Sequence, residues 1–224
     1  MKIIKLKTTT STQDEIEKYV GGDEDAVVFS EIQTGGRGTK NRTFVSDIGG
    51  VYATFYIRHK NLAAERGFDV CKHLSLAVVK TLRDIGVAAA IKWPNDIYAN
   101  GKKICGMLIK NRFVDGKIAY TVTGIGINVN NDIRDEIKDI AISCKTILEK
   151  TVSVEAVFDA LVENVYSETD LSLYEKYSCV SGKTVTVIRG KESFKAAVEK
   201  ILPDGRLQLE SGEILSSEEI SLRI

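Results

Sequence analysis

Two turn signals in the middle of the chain constrain the fold most. Asn100-Gly101 lies between the apolar runs 97–99 and 104–109, and Asp115-Gly116 lies between that second run and residues 118–123. Dipeptides of this kind tolerate the positive φ angles that two-residue hairpin turns need. The region therefore predicts a meander of adjacent antiparallel strands.

Periodicity supplies the other elements. Residues 51–58 alternate between two faces, which indicates a half-buried strand. Apolar residues at helical spacing predict one amphipathic helix from about Glu65 to Gly86 and a second from Val154 to about Leu173. Further strands are predicted at 3–6, 26–33 and 88–93, and a short helix is predicted to begin at Ser11.

The sequence changes character beyond Tyr177. Short runs of strand-forming residues at 184–189, 194–201 and 206–210 are separated by tight-turn sequences that contain glycine. Short strands with close turns over so few residues predict a small barrel. We place the boundary near Val180, so that the 224-residue chain is one sizeable domain followed by a small one.

Charge and cysteine content exclude several classes of function. The 31 Lys+Arg balance the 31 Asp+Glu, so the chain exerts no long-range attraction on a polyanion. Its four cysteines form no CxxC pair, which excludes zinc ribbons and thioredoxin-like sites and indicates reduced thiols. The sequence contains neither a signal peptide nor a membrane span. We therefore expect a cytoplasmic protein without a membrane partner.

A loop rich in glycine and basic residues follows the strand that ends at Gln33. Its glycines allow close approach to a ligand, while Arg37, Lys40 and Arg42 supply cations suited to phosphate or carboxylate. The pattern is neither a Walker A loop nor a dinucleotide-binding fingerprint. A solvated basic hairpin is the alternative interpretation.

The segment Lys92-Trp93-Pro94-Asn95-Asp96 holds the only tryptophan of the chain. A proline directly after a strand presents the following polar residues at the end of that strand. Asp96, together with Asn95, could there hold Mg²⁺ with substrate phosphates. An ordinary turn is the alternative, because Pro-Asn-Asp is common turn chemistry.

Two further features are ambiguous on their own. Lys103 lies on the opposite strand face from Ile104 and Leu108, so it either projects into a cleft or is a surface lysine. Glycines interrupt the strand-like run 124–130, which marks either a bulge or the close approach of a ligand, with Asn128 as a polar group there.

The order and spacing of these segments resemble the biotin protein ligases over essentially the whole chain. The residues that carry the resemblance are Ser11-Thr12-Gln13, Gln33, Gly36-Arg37-Gly38, Arg42, Phe44, Lys92 to Ile97, Lys103, Gly106 and Gly124 to Asn128. The resemblance implies an α+β fold. Residues 1–179 would form a mixed β-sheet flanked by helices, as in class II synthetase-like biotin and lipoate ligases, and residues 180–224 an SH3-like barrel.

The resemblance also implies a two-step reaction with biotin, ATP and Mg²⁺. Biotin's carboxylate attacks the α-phosphate of ATP, giving biotinyl-5′-AMP and pyrophosphate, and a lysine of a carrier protein domain then takes the biotin. By resemblance, Lys103 and Arg37 are catalytic. The biotin-binding residues are Ser11, Thr12, Gln13, Gln33, Arg37, Gly38, Thr39, Lys103 and Gly106; the ATP-binding residues are Arg37, Arg42, Phe44, Lys92, Asn95 and Asn128; the metal candidates are Asp96 and Asn128.

The chain departs from the family pattern at several positions. Gln13 stands where asparagine is usual, so the amide is retained on a longer side chain. Phe44 takes the adenine-stacking place usually held by tryptophan. Thr39 and Lys40-Asn41 occupy a stretch where the family commonly has more arginine and a further glycine, so we expect weaker retention of the adenylate.

The resemblance also bears on partners and on rival functions. Because the Ser-Thr-Gln segment already begins at Ser11, we expect no N-terminal helix-turn-helix and no DNA partner. Pairing into a homodimer through a sheet edge is a further implication. The rival readings are a lipoate or octanoate ligase or transferase, which would share the fold, and a non-enzymatic binding module.

Overall fold

The computed structural model describes residues 1–39, 42–218 and 220–223, and its main element is a seven-stranded mixed sheet. The strands are β1 (Lys2–Thr9), β2 (Ala26–Gln33), β3 (Val51–Ala63), β4 (Ala90–Lys92), β5 (Asp96–Ala99), β6 (Lys102–Val114) and β7 (Lys117–Ile127). Their order is β1-β2-β3-β7-β6-β5-β4. β1 runs parallel to β2, and all other neighbours are antiparallel.

The two turn signals form tight hairpins, which confirms the predicted meander. Asn100 and Gly101 have φ angles of 49° and 73°, and Asp115 and Gly116 have φ angles of 48° and 71°. These values are those of a type I′ turn, which matches the twist of the strands that it joins. β5, β6 and β7 are therefore adjacent, and β6 pairs with β7 along nearly its whole length.

Helices cover the two faces of this sheet unequally. The helices are α1 (Thr12–Ile16), α2 (Gly67–Asp84), α3 (Cys144–Leu148), α4 (Val154–Tyr166) and α5 (Leu173–Lys176). Alternate residues of β2 enter separate clusters: Val27 and Phe29 join the main core with α2 and α4, whereas Ala26 and Val28 join a smaller cluster with Ile16 of α1. The α1 face thus leaves room for a cleft.

The second long helix was predicted to run from Val154 to about Leu173, and the predicted C-terminal end is wrong. α4 stops at Tyr166 because the backbone of Ser167 is extended, and its hydroxyl donates to the carbonyl of Glu163 (2.8 Å). The chain then forms the separate short helix α5. Within the described residues, no helix combines the length and the apolar character needed to cross a membrane.

A second, five-stranded antiparallel sheet follows. Its strands are β8 (Thr184–Arg189), β9 (Glu192–Ile201), β10 (Leu207–Leu209), β11 (Ile214–Leu215) and β12 (Ser221–Arg223), in the order β11-β10-β9-β8-β12. β8, β9 and β10 lie where the sequence predicts them. The sheet is open in the described part of the chain, because its edge strands β11 and β12 pair only with β10 and β8.

All four cysteines are free thiols, as predicted. Burial raises the pKa of Cys71 to about 12 and also raises the pKa of Cys105, so neither thiol ionises readily near neutral pH. Among residues 1–39, 42–218 and 220–223, no cluster of three or more His, Cys, Asp or Glu side chains is arranged to hold a metal ion.

Candidate functional site

A cleft of about 480 Å³ opens on the α1 face of the large sheet. Most of the predicted site residues line it: Ser11, Thr12, Gln13, Gln33, Arg37, Gly38, Thr39, Phe44, Asp96, Lys103 and Gly106. Gly124 and Gly126, from the interrupted strand run, line it as well, together with Ala53, Met107, Leu108 and Ile125. Arg42, Lys92, Asn95 and Asn128 are not among the lining residues.

The first wall of the cleft is a polar network at the start of α1. Thr12 donates its backbone N–H (2.8 Å) and its hydroxyl (3.0 Å) to Oε1 of Gln33. Nε2 of Gln33 donates to Oγ of Ser46 (2.9 Å), and the hydroxyls of Thr12 and Thr54 are 2.8 Å apart. Ser11 caps α1 by accepting from the backbone N–H of Gln13 (3.3 Å). These bonds fix the head of the cleft before a ligand arrives.

Gln13 carries a buried acceptor without a partner. Its Nε2 donates to the carbonyl of Leu108 (3.4 Å), whereas its Oε1 is buried and accepts no hydrogen bond from any residue that the structure describes. An unpaired buried acceptor costs free energy, so the site is set for a ligand N–H or O–H. Gly124 lies beneath this amide, because a Cβ there would lie 2.7 Å from Nε2 of Gln13.

The basic loop after β2 folds back as a narrow hairpin over the cleft. Phe44 N–H donates to the carbonyl of Gly36 (2.9 Å), and Gly38 N–H donates to the carbonyl of Arg42 (2.7 Å). Gly36 is required here, because a Cβ would lie 2.3 Å from the carbonyl oxygen of Phe44. Lys40 and Asn41, part of the predicted departure from the family pattern, lie outside the described residues.

Phe44 supplies an aromatic wall. A Cβ on Gly126 would lie 2.5 Å from its ring, and one on Gly106 would lie 3.2 Å from it, so the ring rests on the glycines of β6 and β7. Tyr52 holds the ring from the side, with the ring centroids 6.3 Å apart in an edge-on contact. The glycines of these strands therefore serve the close approach of side chains to the sheet.

One cation that lines the cleft is Lys103. Its Nζ lies 2.6 Å from Oδ1 of Asp96, and each side chain is about one third exposed, at 33% and 31%. The backbone of Lys103 is fixed on both sides, because its N–H donates to Ile140 and its carbonyl accepts from Ile142. Lys103 thus lies in the cleft and is not a surface lysine.

Arg37 is a second cation that lines the cleft. Nη2 of Arg37 lies 2.9 Å from Oδ2 of Asp14, and both side chains are largely exposed. Exposed ion pairs stabilise a protein little, so an entering anion can take over the guanidinium at small cost. Asp14 was not predicted as the partner of Arg37 from the sequence, in which its place in the first turn of α1 was the available signal.

Three of the predicted site residues that do not line the cleft form hydrogen bonds with other groups of the protein. Lys92 Nζ contacts the hydroxyl of Tyr98 (3.0 Å), and Asn95 Nδ2 donates to the carbonyl of Met107 (3.0 Å). Asn128 Nδ2 donates to the carbonyl of Ile142 (3.2 Å), and its Oδ1 accepts from Asn131 (3.1 Å). The structure therefore brings Asp96, but not Asn128, into the cleft.

The cleft is graded along the strands: its polar groups are uncharged at the Gln13 end, and a cation lies at the Lys103 end. Gln13 lies over Leu108 and Gly124, whereas Lys103 lies over Gly106, two residues away along β6 or about 7 Å. A ligand that fits this arrangement has a neutral, hydrogen-bonding head, a body that contacts an aromatic ring and an anionic end. Two anions brought together at the Lys103 end would have their repulsion reduced by the nearby cations.

Comparison with known proteins gives consistent results. The family model for the biotin/lipoate A/B protein ligase family matches residues 3–128. The bifunctional ligase/repressor BirA of Bacillus subtilis is 35% identical over 143 residues, which are 62% of this chain and 43% of BirA. The biotin–[acetyl-CoA-carboxylase] ligase of Paracoccus denitrificans is 31% identical over 132 residues, 55% of this chain and 53% of that enzyme. This chain thus spans about half the length of these relatives.

Two solved structures share the fold over almost the whole chain. The biotin protein ligase of Aquifex aeolicus in complex with biotin and ATP has a TM-score of 0.78 at 27% identity, covering 99% of this chain and 98% of that one. The biotin protein ligase of Leishmania major in complex with biotinyl-5-AMP has a TM-score of 0.66 at 26% identity, covering 96% and 99%.

Proposed function

This chain belongs to the biotin/lipoate A/B protein ligase family, and from that premise we propose that it is an ATP-dependent biotin–protein ligase. The observation that carries the proposal is the graded cleft, with the unpaired buried Oε1 of Gln13 at one end and Lys103 at the other. Biotin has the matching groups: ureido N–H donors in a neutral head and a carboxylate at the end of an aliphatic chain.

In the proposed first step, an oxygen of the biotin carboxylate attacks the α-phosphorus of ATP. The new P–O bond forms as the bond to the β-phosphate oxygen breaks, and pyrophosphate leaves. Lys103 and Arg37 disperse negative charge in this step, which needs cations more than a protein nucleophile. In the second step a carrier lysine amine attacks the biotinyl carbonyl, AMP leaves and the amine loses a proton.

Mg²⁺ fits this site through Asp96. A carboxylate at the cleft, with the phosphates of a substrate, is an ordinary Mg²⁺ arrangement. The metal would supply charge neutralisation at the phosphates. Asn128 fits less well, because its amide is bonded to Ile142 and Asn131 outside the cleft lining. We therefore propose Asp96 as the metal ligand of the predicted pair.

The polar head of the cleft also separates biotin from its rivals. Octanoate and lipoate carry no N–H donor in the part that would reach Gln13, so its Oε1 would remain unpaired. The non-enzymatic reading leaves the cleft cations Arg37 and Lys103 without a role. We propose that biotin is the preferred substrate.

Pyrophosphate release tests the proposed function. ATP and Mg²⁺ are supplied with biotin, lipoate or octanoate in turn. We expect pyrophosphate release with biotin and none with lipoate or octanoate. Release with lipoate or octanoate alone would move the assignment to the lipoate branch of the family, and no release with any of the three would favour the binding-module reading.

Thr39→Arg is expected to slow the release of biotinyl-5′-AMP by about tenfold, because a guanidinium adds a charge-assisted bond to the bound adenylate. Thr39 lines the cleft, whereas the exposed Thr43 on the same loop does not. Thr43→Arg, with the same added charge, is therefore the matched control. The dissociation rate of preformed biotinyl-5′-AMP measures the effect, and equal rates for wild type and Thr39→Arg would contradict the prediction.

The same proposal extends to the partners, the location and the domains of the protein. The acceptor is a biotin carrier protein domain, and the protein acts in the cytoplasm without a DNA partner. Residues 1–179 act as the catalytic domain and residues 180–224 as an SH3-like barrel, whose strands β8 to β12 support this reading by their length and antiparallel order. Homodimer formation remains a prediction of the resemblance.

A further inference from the structure

A hydrogen bond joins the turn between β4 and β5 to the second sheet. The indole N–H of Trp93 donates to the carbonyl of Gly205 (2.8 Å), and the tryptophan is only 4% exposed. Gly205 lies in the tight turn between β9 and β10, where its N–H donates to the carbonyl of Leu202. The only tryptophan of the chain therefore contacts a residue 112 positions away.

Packing around this bond leaves Gly205 little freedom. Its φ is +89°, and a Cβ would lie 2.6 Å from the ring of Phe68 on α2. Phe68 packs edge-on against Tyr174, with centroids 5.5 Å apart, and the hydroxyl of Tyr174 donates to the carbonyl of Pro94 (2.6 Å). The path from Trp93 through Gly205, Phe68 and Tyr174 thus returns to the same turn.

The other end of the turn reaches the cleft. Asn95 donates to the carbonyl of Met107, a lining residue, and Asp96 forms the 2.6 Å ion pair with Lys103. Lys92 and Asp96 are directly paired across the hairpin, so the turn holds only three residues. A displacement of Trp93 is therefore passed within three residues to the carboxylate beside the reacting cation.

A second attachment keeps the two sheets together if the Trp93 bond is lost. Ile91 N–H donates to the carbonyl of Tyr177 (2.7 Å), and its carbonyl accepts from Cys179 (2.8 Å). The connecting segment therefore remains bound to β4. Removing the indole N–H should loosen the turn without releasing the C-terminal sheet.

We propose that Trp93 is a positioning residue through which the C-terminal sheet holds Asp96 against Lys103. This inference rests on the proposed function, because its effect is expressed in the adenylation step. Trp93 itself is not among the cleft-lining residues, so it acts through the turn. The polar groups proposed to bind the head of biotin, Thr12, Gln13 and Gln33, lie at the α1 end and make no hydrogen bond to this turn within the described residues, so we expect a larger effect on rate than on biotin affinity.

The test compares Trp93→Phe with Val187→Ala. Phenylalanine keeps a buried ring but removes the N–H, whereas Val187 is fully buried in β8 and its truncation weakens the second sheet without touching the turn. For Trp93→Phe we expect kcat for biotin-dependent pyrophosphate release to fall about tenfold, since small misplacements of reacting groups are costly. We expect the Kd for biotin to change by no more than about twofold, because the contacts proposed for its head lie away from the turn and Lys103 itself is retained.

Two outcomes would overturn the proposal. One is a wild-type kcat in Trp93→Phe. The other is an equal fall in Val187→Ala at the same loss of thermal stability, which would indicate a purely structural role. Hydrogen–deuterium exchange of residues 93–107 provides a readout without activity, and we expect faster exchange in Trp93→Phe only. If the wild-type protein releases no pyrophosphate, the proposed function is wrong. If exchange is unchanged in Trp93→Phe, the proposed positioning role of Trp93 is wrong, whatever the outcome for the function.

Discussion

Lys103→Ala is expected to lower the rate of biotin-dependent pyrophosphate release by about a thousandfold, at the upper end of what removal of one preorganised charge-stabilising group costs. Lys103 is the cation whose ammonium faces Asp96 inside the cleft. Its loss removes one of the cations proposed to disperse negative charge on the reacting carboxylate and phosphate. Fold and thermal stability should change little, because the side chain is one third exposed and its partner can be solvated.

The neighbouring lysine is the control for this experiment. Lys102 lies on the same strand, but its Nζ donates to the carbonyl of Lys138, and it does not line the cleft. Lys102→Ala removes the same charge from the adjacent position, and we expect a rate within about twofold of wild type. Pyrophosphate release by a folded Lys103→Ala protein at near the wild-type rate would exclude the role that we assign to this lysine.

Gly36→Ala is expected to weaken biotin binding by about a hundredfold, because it displaces the groups that position the head of the cleft. The added methyl would lie 2.3 Å from the carbonyl oxygen of Phe44 and 2.6 Å from Oγ of Ser46. Backbone cannot yield as a flexible side chain does, so the hairpin must shift. The shift would disturb the Gln33–Ser46 bond and the Phe44 wall together.

Gly67→Ala serves as the matched substitution on the other side of the sheet. Gly67 begins α2, and a Cβ there would lie at ordinary contact distances, 3.5 Å from Asn111 and 3.8 Å from Ile118. Calorimetric titration with biotin should therefore give a wild-type affinity for Gly67→Ala. An affinity for Gly36→Ala within about threefold of wild type, in a folded protein, would show that the hairpin does not position the head of the cleft.

Much of the large sheet could be predicted because its signals are local. Asn100-Gly101 and Asp115-Gly116 adopt the φ angles that their residue types permit, and residues 51–58 lie in β3 as predicted. The prediction that this strand is half-buried is wrong for residues 51–56, which are buried on both faces of the sheet. The parallel pairing of β1 with β2 has no such local signal, since α1 and its connections separate the two strands. The end of α4 was missed because its apolar periodicity continues past the residue that breaks the backbone pattern.

In the candidate site, too, local features could be predicted from the sequence and long-range contacts could not. Most of the lining residues could be predicted as motifs, because each group is close together in the sequence, whereas Ala53, Met107 and Leu108 carried no such signal. The contacts that explain them join distant residues: Thr12 with Thr54, Arg37 with Asp14, and Trp93 with Gly205. Trp93 was singled out as part of a ligand-presenting segment, but its indole bonds to the second sheet, which only the three-dimensional packing reveals.

The attachment of residues 177–179 to Ile91 has a consequence for assembly. It saturates the backbone of Ile91 on the outer strand β4, so within the described residues the large sheet keeps its unpaired edge at β1. Nonspecific addition of another strand there is disfavoured by the exposed lysines of β1, which are Lys2, Lys5 and Lys7. A sheet with one usable edge can join only one other copy edge to edge. Any such growth is therefore self-limiting and ends in a closed pair, whereas a sheet with two free edges could extend into a filament.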